Sequence, residues 1–124
     1  MIEWAIQGRL ARSAHPEPDE VGPWLREAGD LGIRSIVCLL DDEQLGRYAG
    51  LPGGLLEAYR RAGFAVGHVP VKDLQDPPMA PSDLEAVWRL FTNMPSPILV
   101  HCWAGIDRTG AAVAYIQGRI ESLR

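Results

Sequence analysis

Pro97-Ile98-Leu99-Val100-His101-Cys102-Trp103-Ala104-Gly105-Ile106-Asp107-Arg108-Thr109-Gly110 is the stretch on which the reading of this chain turns. Pro97 to Val100 is a short apolar run behind turn residues and predicts a buried strand. From Thr109 onward, Ala111, Ala112, Val113, Ala114, Tyr115 and Ile116 predict a helix packed on that strand. The loop between them then sits at a helix N-terminus, where free backbone N–H groups and the helix dipole favour an anion. A cysteine held there favours its thiolate and is a nucleophile near neutral pH. Arg108 carries a planar fork that can grip two oxygens of a phosphate, as a lysine could not. Gly105 allows the backbone to approach an oxyanion closely. Average residue usage produces His-Cys-x5-Arg-Ser/Thr in a chain of this length on the order of once in several thousand sequences.

The pattern His101-Cys102-x5-Arg108-Thr109-Gly110 resembles the signature of the cysteine-dependent protein tyrosine phosphatases, including their dual-specificity branch. Trp4-Ala5-Ile6-Gln7-Gly8-Arg9-Leu10-Ala11-Arg12-Ser13-Ala14-His15-Pro16 resembles the opening segment of the small atypical dual-specificity phosphatases. Ile33 to Leu40 is similar to their first core strand, and Val69-Pro70-Val71-Lys72-Asp73 to their general-acid segment. The likeness runs in order along nearly the whole chain. The signature loop is highly specific, whereas the other segments are weak singly.

The resemblance implies a phosphatase working through a phosphocysteine on Cys102. It implies that Arg108 and the loop amides of Trp103, Ala104, Gly105, Ile106, Asp107 and Arg108 bind the phosphate oxygens. Thr109 would donate a hydrogen bond to the Cys102 sulfur. His101 would fix the loop and help keep Cys102 ionised, rather than act as a base. Neither metal nor other cofactor is implied. The leaving oxygen needs a proton. Asp73, about thirty residues before the cysteine in the family's arrangement, ranks first as its source. Asp76 competes but precedes two prolines and reads as a turn residue. Asp107 is a third candidate, whose alternative is a carboxylate paired with an arginine or a backbone amide.

Composition bounds the partners. The net charge is −4, with eleven arginines and the single lysine Lys72. Such a chain is a poor general binder of nucleic acid or anionic membrane, and no run approaches membrane-spanning length. A cytoplasmic protein is expected, acting on a phosphorylated protein or a small aryl phosphate. A loop without lysine argues against highly anionic substrates. Phosphotyrosine is the expected substrate, with phosphoserine and phosphothreonine admitted by a shallow pocket. The competing classes are a phosphatase of phosphoinositides or RNA 5′-phosphates, and a non-catalytic phosphate reader. Trp103 is read as packing under the loop, or as narrowing access toward flat aryl groups.

Length predicts one domain over residues 1–124. Members of the family usually carry further helices after the one that follows the signature loop. A shorter C-terminal part, missing helices, or a second copy or other partner on an exposed sheet face are the readings left open. The two cysteines form no disulfide framework. Cys38 reads as a buried strand residue, with a resolving thiol for Cys102 as the alternative. His15 and His68 show no metal-ligand spacing.

Elsewhere the chain alternates. Strands are expected over Glu3–Ile6, Ile33–Leu40 and Ala65–Val71, and helices over Pro23–Ala28 and Gly54–Ala62. Ser82-Asp83-Leu84-Glu85 reads as a capping box opening a helix whose Leu84, Val87, Trp88 and Phe91 share a core face. Asp41 to Gly54 reads as a mobile loop beside the site. The expected fold is α/β, a mostly parallel sheet flanked by helices, with the signature loop between a strand and a helix.

Overall fold

A computed structural model describes residues Met1–Arg124. Five strands, β1 (Glu3–Ile6), β2 (Leu10–Ser13), β3 (Ser35–Cys38), β4 (Ala65–His68) and β5 (Ile98–His101), form one sheet in the order β1-β2-β5-β3-β4. Only β1 and β2 are antiparallel; β2, β5, β3 and β4 run parallel. The α/β architecture and the mostly parallel sheet agree with expectation. The sequence does not announce β2. Alanine, arginine and serine are weak strand formers, and its place is set by the parallel registers Leu10↔Ile98 through Ser13↔His101. The chain reaches it through a tight turn at Gly8, whose φ of +72° suits glycine.

The helices are α1 (Val21–Asp30), α2 (Asp42–Leu45), α3 (Gly54–Arg61), α4 (Pro81–Asn93) and α5 (Asp107–Ser122). Side chains alternate across the sheet. Val37, Leu39, Ile98 and Val100 pack with Val87 and Phe91 of α4 and with Ala112, Val113 and Ile116 of α5. Ile36, Cys38, Leu40 and Leu99 pack on the other face with Trp24 and Ala28 of α1 and Leu55 and Tyr59 of α3. Burial on both faces is why the central strands read as continuous apolar runs. Leu84 and Trp88 lie against the first cluster, so the aromatic stripe of α4 is core.

Three local expectations are corrected. The capping box does not start at Ser82, because Pro81 is already helical and Ala80 is the cap. Asp83 Oδ2 accepts from Ala80 N–H at 3.2 Å, and Glu85 turns to Arg119 and Tyr115 of α5 at 2.8 and 2.9 Å. Proline at a first helical turn loses no hydrogen bond, which moves the start upstream of serine. The polar stretch after Asp41 is not a plain loop but α2 followed by a 3-10 turn over Gly46–Tyr48. Asp41 caps α2 through Gln44 N–H at 2.8 Å, and the fully buried Tyr48 donates to Pro16 O at 2.6 Å. The strands around Cys38 and Val66 are shorter than expected, although pairing continues as Leu39 N–H to His101 O and Val69 N–H to Cys38 O. No helix is long and apolar enough to cross a membrane.

Candidate active site

β5 ends at His101, and the loop Cys102–Ile106 leads directly into α5 at Asp107. Ser13 stands in register beside His101, so the chain after β2 forms one wall of the loop. Gly105 lies against that wall with φ +75°; a Cβ there would stand 2.6 Å from Ala14 N. Its N–H points to Cys102 Sγ at 3.2 Å, and its carbonyl accepts from Arg12 Nη2 at 3.0 Å. The N–H groups of Trp103, Ala104, Ile106, Asp107, Arg108 and Thr109 have no acceptor within the protein. Together they make the donor-rich helix start that the sequence predicts.

Arg108 is 1% exposed although it is charged. Its Nη1 donates to Val71 O at 2.7 Å, Leu39 O at 3.1 Å and Gln44 Oε1 at 2.9 Å. These anchors come from the ends of β3 and β4 and from α2, so three separate segments hold one guanidinium. Nη2 lies 3.1 Å from Asp73 Oδ2 in an ion pair. Neither Nε nor Nη2 makes a well-aligned hydrogen bond. Buried donors without well-aligned acceptors are costly, and here Nε and the ion-paired Nη2 form one edge of a fork suited to an oxyanion.

Asp73 is thus the carboxylate that the fold brings to Arg108. Its Oδ1 accepts from Leu74 N–H at 2.9 Å, and Oδ2 also accepts from Gln44 Nε2 at 3.1 Å. Asp76 is exposed and contacts none of these groups. Asp107 is exposed in the first turn of α5, and neither of the partners anticipated for it, an arginine or a backbone amide, is bonded to it.

His101 is fully buried, and burial pushes its pKa down to about 4. It is therefore neutral near pH 7. The carbonyl of Cys102 can only accept, so Nδ1 carries the proton toward it at 3.1 Å and Nε2 accepts from the Tyr59 hydroxyl at 2.9 Å. Burial raises the Tyr59 pKa, so that hydroxyl keeps its proton. A neutral His101 holds the loop by hydrogen bonding and brings no positive charge to Cys102. Thr109 departs from expectation: its buried Oγ1 has no hydrogen-bond partner and does not bond the sulfur.

Cys102 belongs to the core cluster beneath α4 and α5, whereas Cys38 belongs to the opposite one. Burial pushes the Cys38 thiol up to about 12. An un-ionised thiol on the other sheet face packs rather than reacts. Trp103 is half-buried and stacked on His15, centroids 3.6 Å apart, with the Arg47 guanidinium 5.5 Å from its centroid. His15 also bonds Trp103 O through Nδ1 and through its own N–H at 3.0 Å. Its place is under the loop. His68 bonds Leu40 O at 2.8 Å, a structural role. No group of three acidic, histidine or cysteine side chains is arranged to hold a metal.

Sequence reasoning does not reach Gln44, Arg12 or Tyr59. Gln44 lies in a stretch that reads as loop, and the other two become neighbours of the signature only through β2–β5 pairing and α3 packing. The sole available signal is the capping pair Asp41/Gln44.

Several solved structures share this arrangement of elements. A mutant form of Tk-PTP is 25% identical with a TM-score of 0.65, over 95% of this chain and 71% of its own. A phosphatase-like protein of Shewanella putrefaciens CN-32 is 18% identical with a TM-score of 0.66, over 98% of this chain and 72% of its own. The catalytic core of SIW14 from S. cerevisiae, described as a PP-IP phosphatase and bound to citrate, is 20% identical with a TM-score of 0.63. That match covers 94% of this chain and 64% of SIW14's. The last two likenesses are of fold alone. No curated protein matches the sequence. A family model described as "Polymorphic toxin system, DSP-PTPase phosphatase" matches residues 16–119, and with the signature loop between β5 and α5 this chain belongs to that family of cysteine-based phosphatases.

Proposed function

We propose that residues 1–124 form one catalytic domain hydrolysing aryl phosphomonoesters, phosphotyrosine foremost, through a phosphocysteine on Cys102. The observation that carries this reading is the buried Nε–Nη2 edge of Arg108, ion-paired with Asp73 at Nη2 but without a well-aligned hydrogen bond, together with the free amides of the loop that begins at Cys102. The Cys102 thiolate attacks phosphorus while the bond to the leaving oxygen breaks, and protonated Asp73 gives that oxygen its proton. Water then attacks phosphorus, Asp73 takes the water proton, and the sulfur leaves as thiolate. Arg108 and the loop amides favour the transition state by meeting its equatorial oxygens at fixed positions. The packing of Trp103 and the hydrogen bonds of neutral His101 keep the loop in shape, and Thr109 Oγ1 stays available as a donor to the departing sulfur.

Two apolar side chains support the aryl preference. Leu74, directly after Asp73, is 94% exposed, and Ile106, in the signature loop, is 67% exposed. Leu74 also holds φ +62°, a conformation a bulky residue adopts at a cost. Exposed apolar side chains next to Asp73 in the chain and within the signature loop suit an aromatic leaving group better than a polyanionic ring or an RNA end. No cofactor takes part.

The test is hydrolysis of 4-nitrophenyl phosphate in chelator by wild type and Cys102→Ser, followed by phosphotyrosine against phosphoserine peptides. Chelator-resistant turnover lost in Cys102→Ser supports cysteine chemistry. Phosphate binding without turnover in the wild type would make this chain a reader instead. Faster turnover of inositol phosphates or RNA 5′-phosphates than of phosphopeptides would overturn the substrate assignment.

A further inference from the structure

Asp73 and phosphate compete for the same arginine. In the free protein Oδ2 of Asp73 sits on Arg108 Nη2 at 3.1 Å, on the edge that an incoming phosphate needs. Once phosphate takes that edge, the ion pair that draws Asp73 into the site is lost, just when a proton must be delivered there. Something else must hold the carboxylate.

We propose that Gln44 is the positioning residue that keeps Asp73 within reach of the leaving oxygen while Arg108 is given over to phosphate; this rests on the function proposed above. Arginine has only donors, so Gln44 must turn Oε1 to Arg108 Nη1, at 2.9 Å. That orientation leaves Nε2 facing Asp73 Oδ2 at 3.1 Å as a donor. The amide therefore bridges the two groups in one sense only. Its arginine contact is to Nη1, the anchored nitrogen that also meets Leu39 O and Val71 O, and not to the phosphate-facing edge. Phosphate binding consequently leaves the bridge intact. Gln44 is itself fixed at the backbone, with its N–H on Asp41 Oδ1 at 2.8 Å and Oε1 accepting from Asp41 N–H at 3.4 Å. The remaining Asp73 contact, Oδ1 to Leu74 N–H, is local to its own loop and cannot tether that loop to the sheet.

The test compares two substrates that differ in their need for a proton. Phenolate is a poor leaving group, whereas 4-nitrophenolate leaves largely unaided. Gln44→Leu, which removes both arms, is expected to lower kcat/KM for phenyl phosphate by about 10- to 100-fold, a part of the usual general-acid contribution. For 4-nitrophenyl phosphate the expected loss is clearly smaller: that substrate feels only the lost anchor of Arg108, whose Nη1 is still held by Leu39 O and Val71 O, and not the impaired proton delivery. In an Asp73→Ala background Gln44→Leu should cost no more on phenyl phosphate than it does on 4-nitrophenyl phosphate, because only the Arg108 anchor is then left to lose. Equal losses on the two substrates, no loss, or full additivity with Asp73→Ala would overturn the role. A wild type inert toward both substrates would instead remove the proposed function, and this inference with it.

Discussion

Replacing Gly105 with alanine forces a conflict at the centre of the loop. The left-handed backbone there, φ +75°, disfavours alanine by about 1 to 2 kcal/mol. The new Cβ would also lie 2.6 Å from Ala14 N, 2.8 Å from Ser13 C and 2.9 Å from Ser13 O. These are backbone atoms, and Ser13 is held in the sheet beside His101, so the loop has to give way rather than the wall. Reaching ordinary contact at 3.4 Å needs an outward shift of about 0.8 Å. Such a shift removes Gly105 N–H from Cys102 Sγ and the carbonyl from Arg12. A displacement of that size at a reacting group costs about 100-fold in rate, whereas overpacking at one position costs about 1 to 3 kcal/mol of stability. We expect kcat/KM on 4-nitrophenyl phosphate to fall about 100-fold, with the protein still folded in a urea titration. Gly67→Ala supplies the comparison. Its Cβ would meet the flexible ends of Leu90 and Met94, at 2.7 and 3.2 Å, away from the loop, so it should lower stability while kcat/KM stays near wild type. A Gly105→Ala enzyme with wild-type kcat/KM would refute the close-approach argument.

Arg108→Lys should lower kcat/KM about 1,000-fold or more if Arg108 binds phosphate as proposed, because the two charge-assisted bonds its fork would make are worth about 1.5 to 3 kcal/mol each; steady-state kinetics at saturating and limiting substrate would check it. Tyr59→Phe leaves His101 Nε2 buried without its donor, an expected loss of about 1 to 3 kcal/mol in urea unfolding. Acidification should weaken the fold through the same histidine. Its folded pKa of about 4 lies below the ordinary 6.5, so the unfolded chain binds the proton more readily in between. Stability is then intact above pH 6.5, falls as the pH drops toward 4, and levels off below, by about 3 kcal/mol at most. Urea midpoints of wild type and His101→Asn across about pH 4 to 7 would show a shallower slope in the variant.

Much of this is legible without coordinates because the decisive chemistry is local in sequence. The strand–loop–helix unit from Ile98 to Ser122 is one continuous segment, and its apolar run, glycine and helical pattern lie side by side. The alternation of strands and helices is enough for an α/β sheet. β2 escapes notice because its residues have little strand preference and owe their conformation to β5. The α2 segment looks like loop because four residues and a 3-10 turn carry no readable helical period.

Sequence alone determined the nucleophile candidate, its arginine and the anion-favouring helix start, since a few consecutive residues dictate all three. It also ranked Asp73 above Asp76 and Asp107, by likeness and, for Asp76, by the two prolines that mark it as a turn residue. What the tertiary structure decided is which distant groups meet them. Arg108 is held by carbonyls from two strand ends and an amide from α2, Asp73 reaches it from the loop that follows β4, and Cys38 is turned to the far face of the sheet. Those contacts depend on strand order and on the alternation of side chains across a sheet, and neither is encoded in any single stretch of sequence.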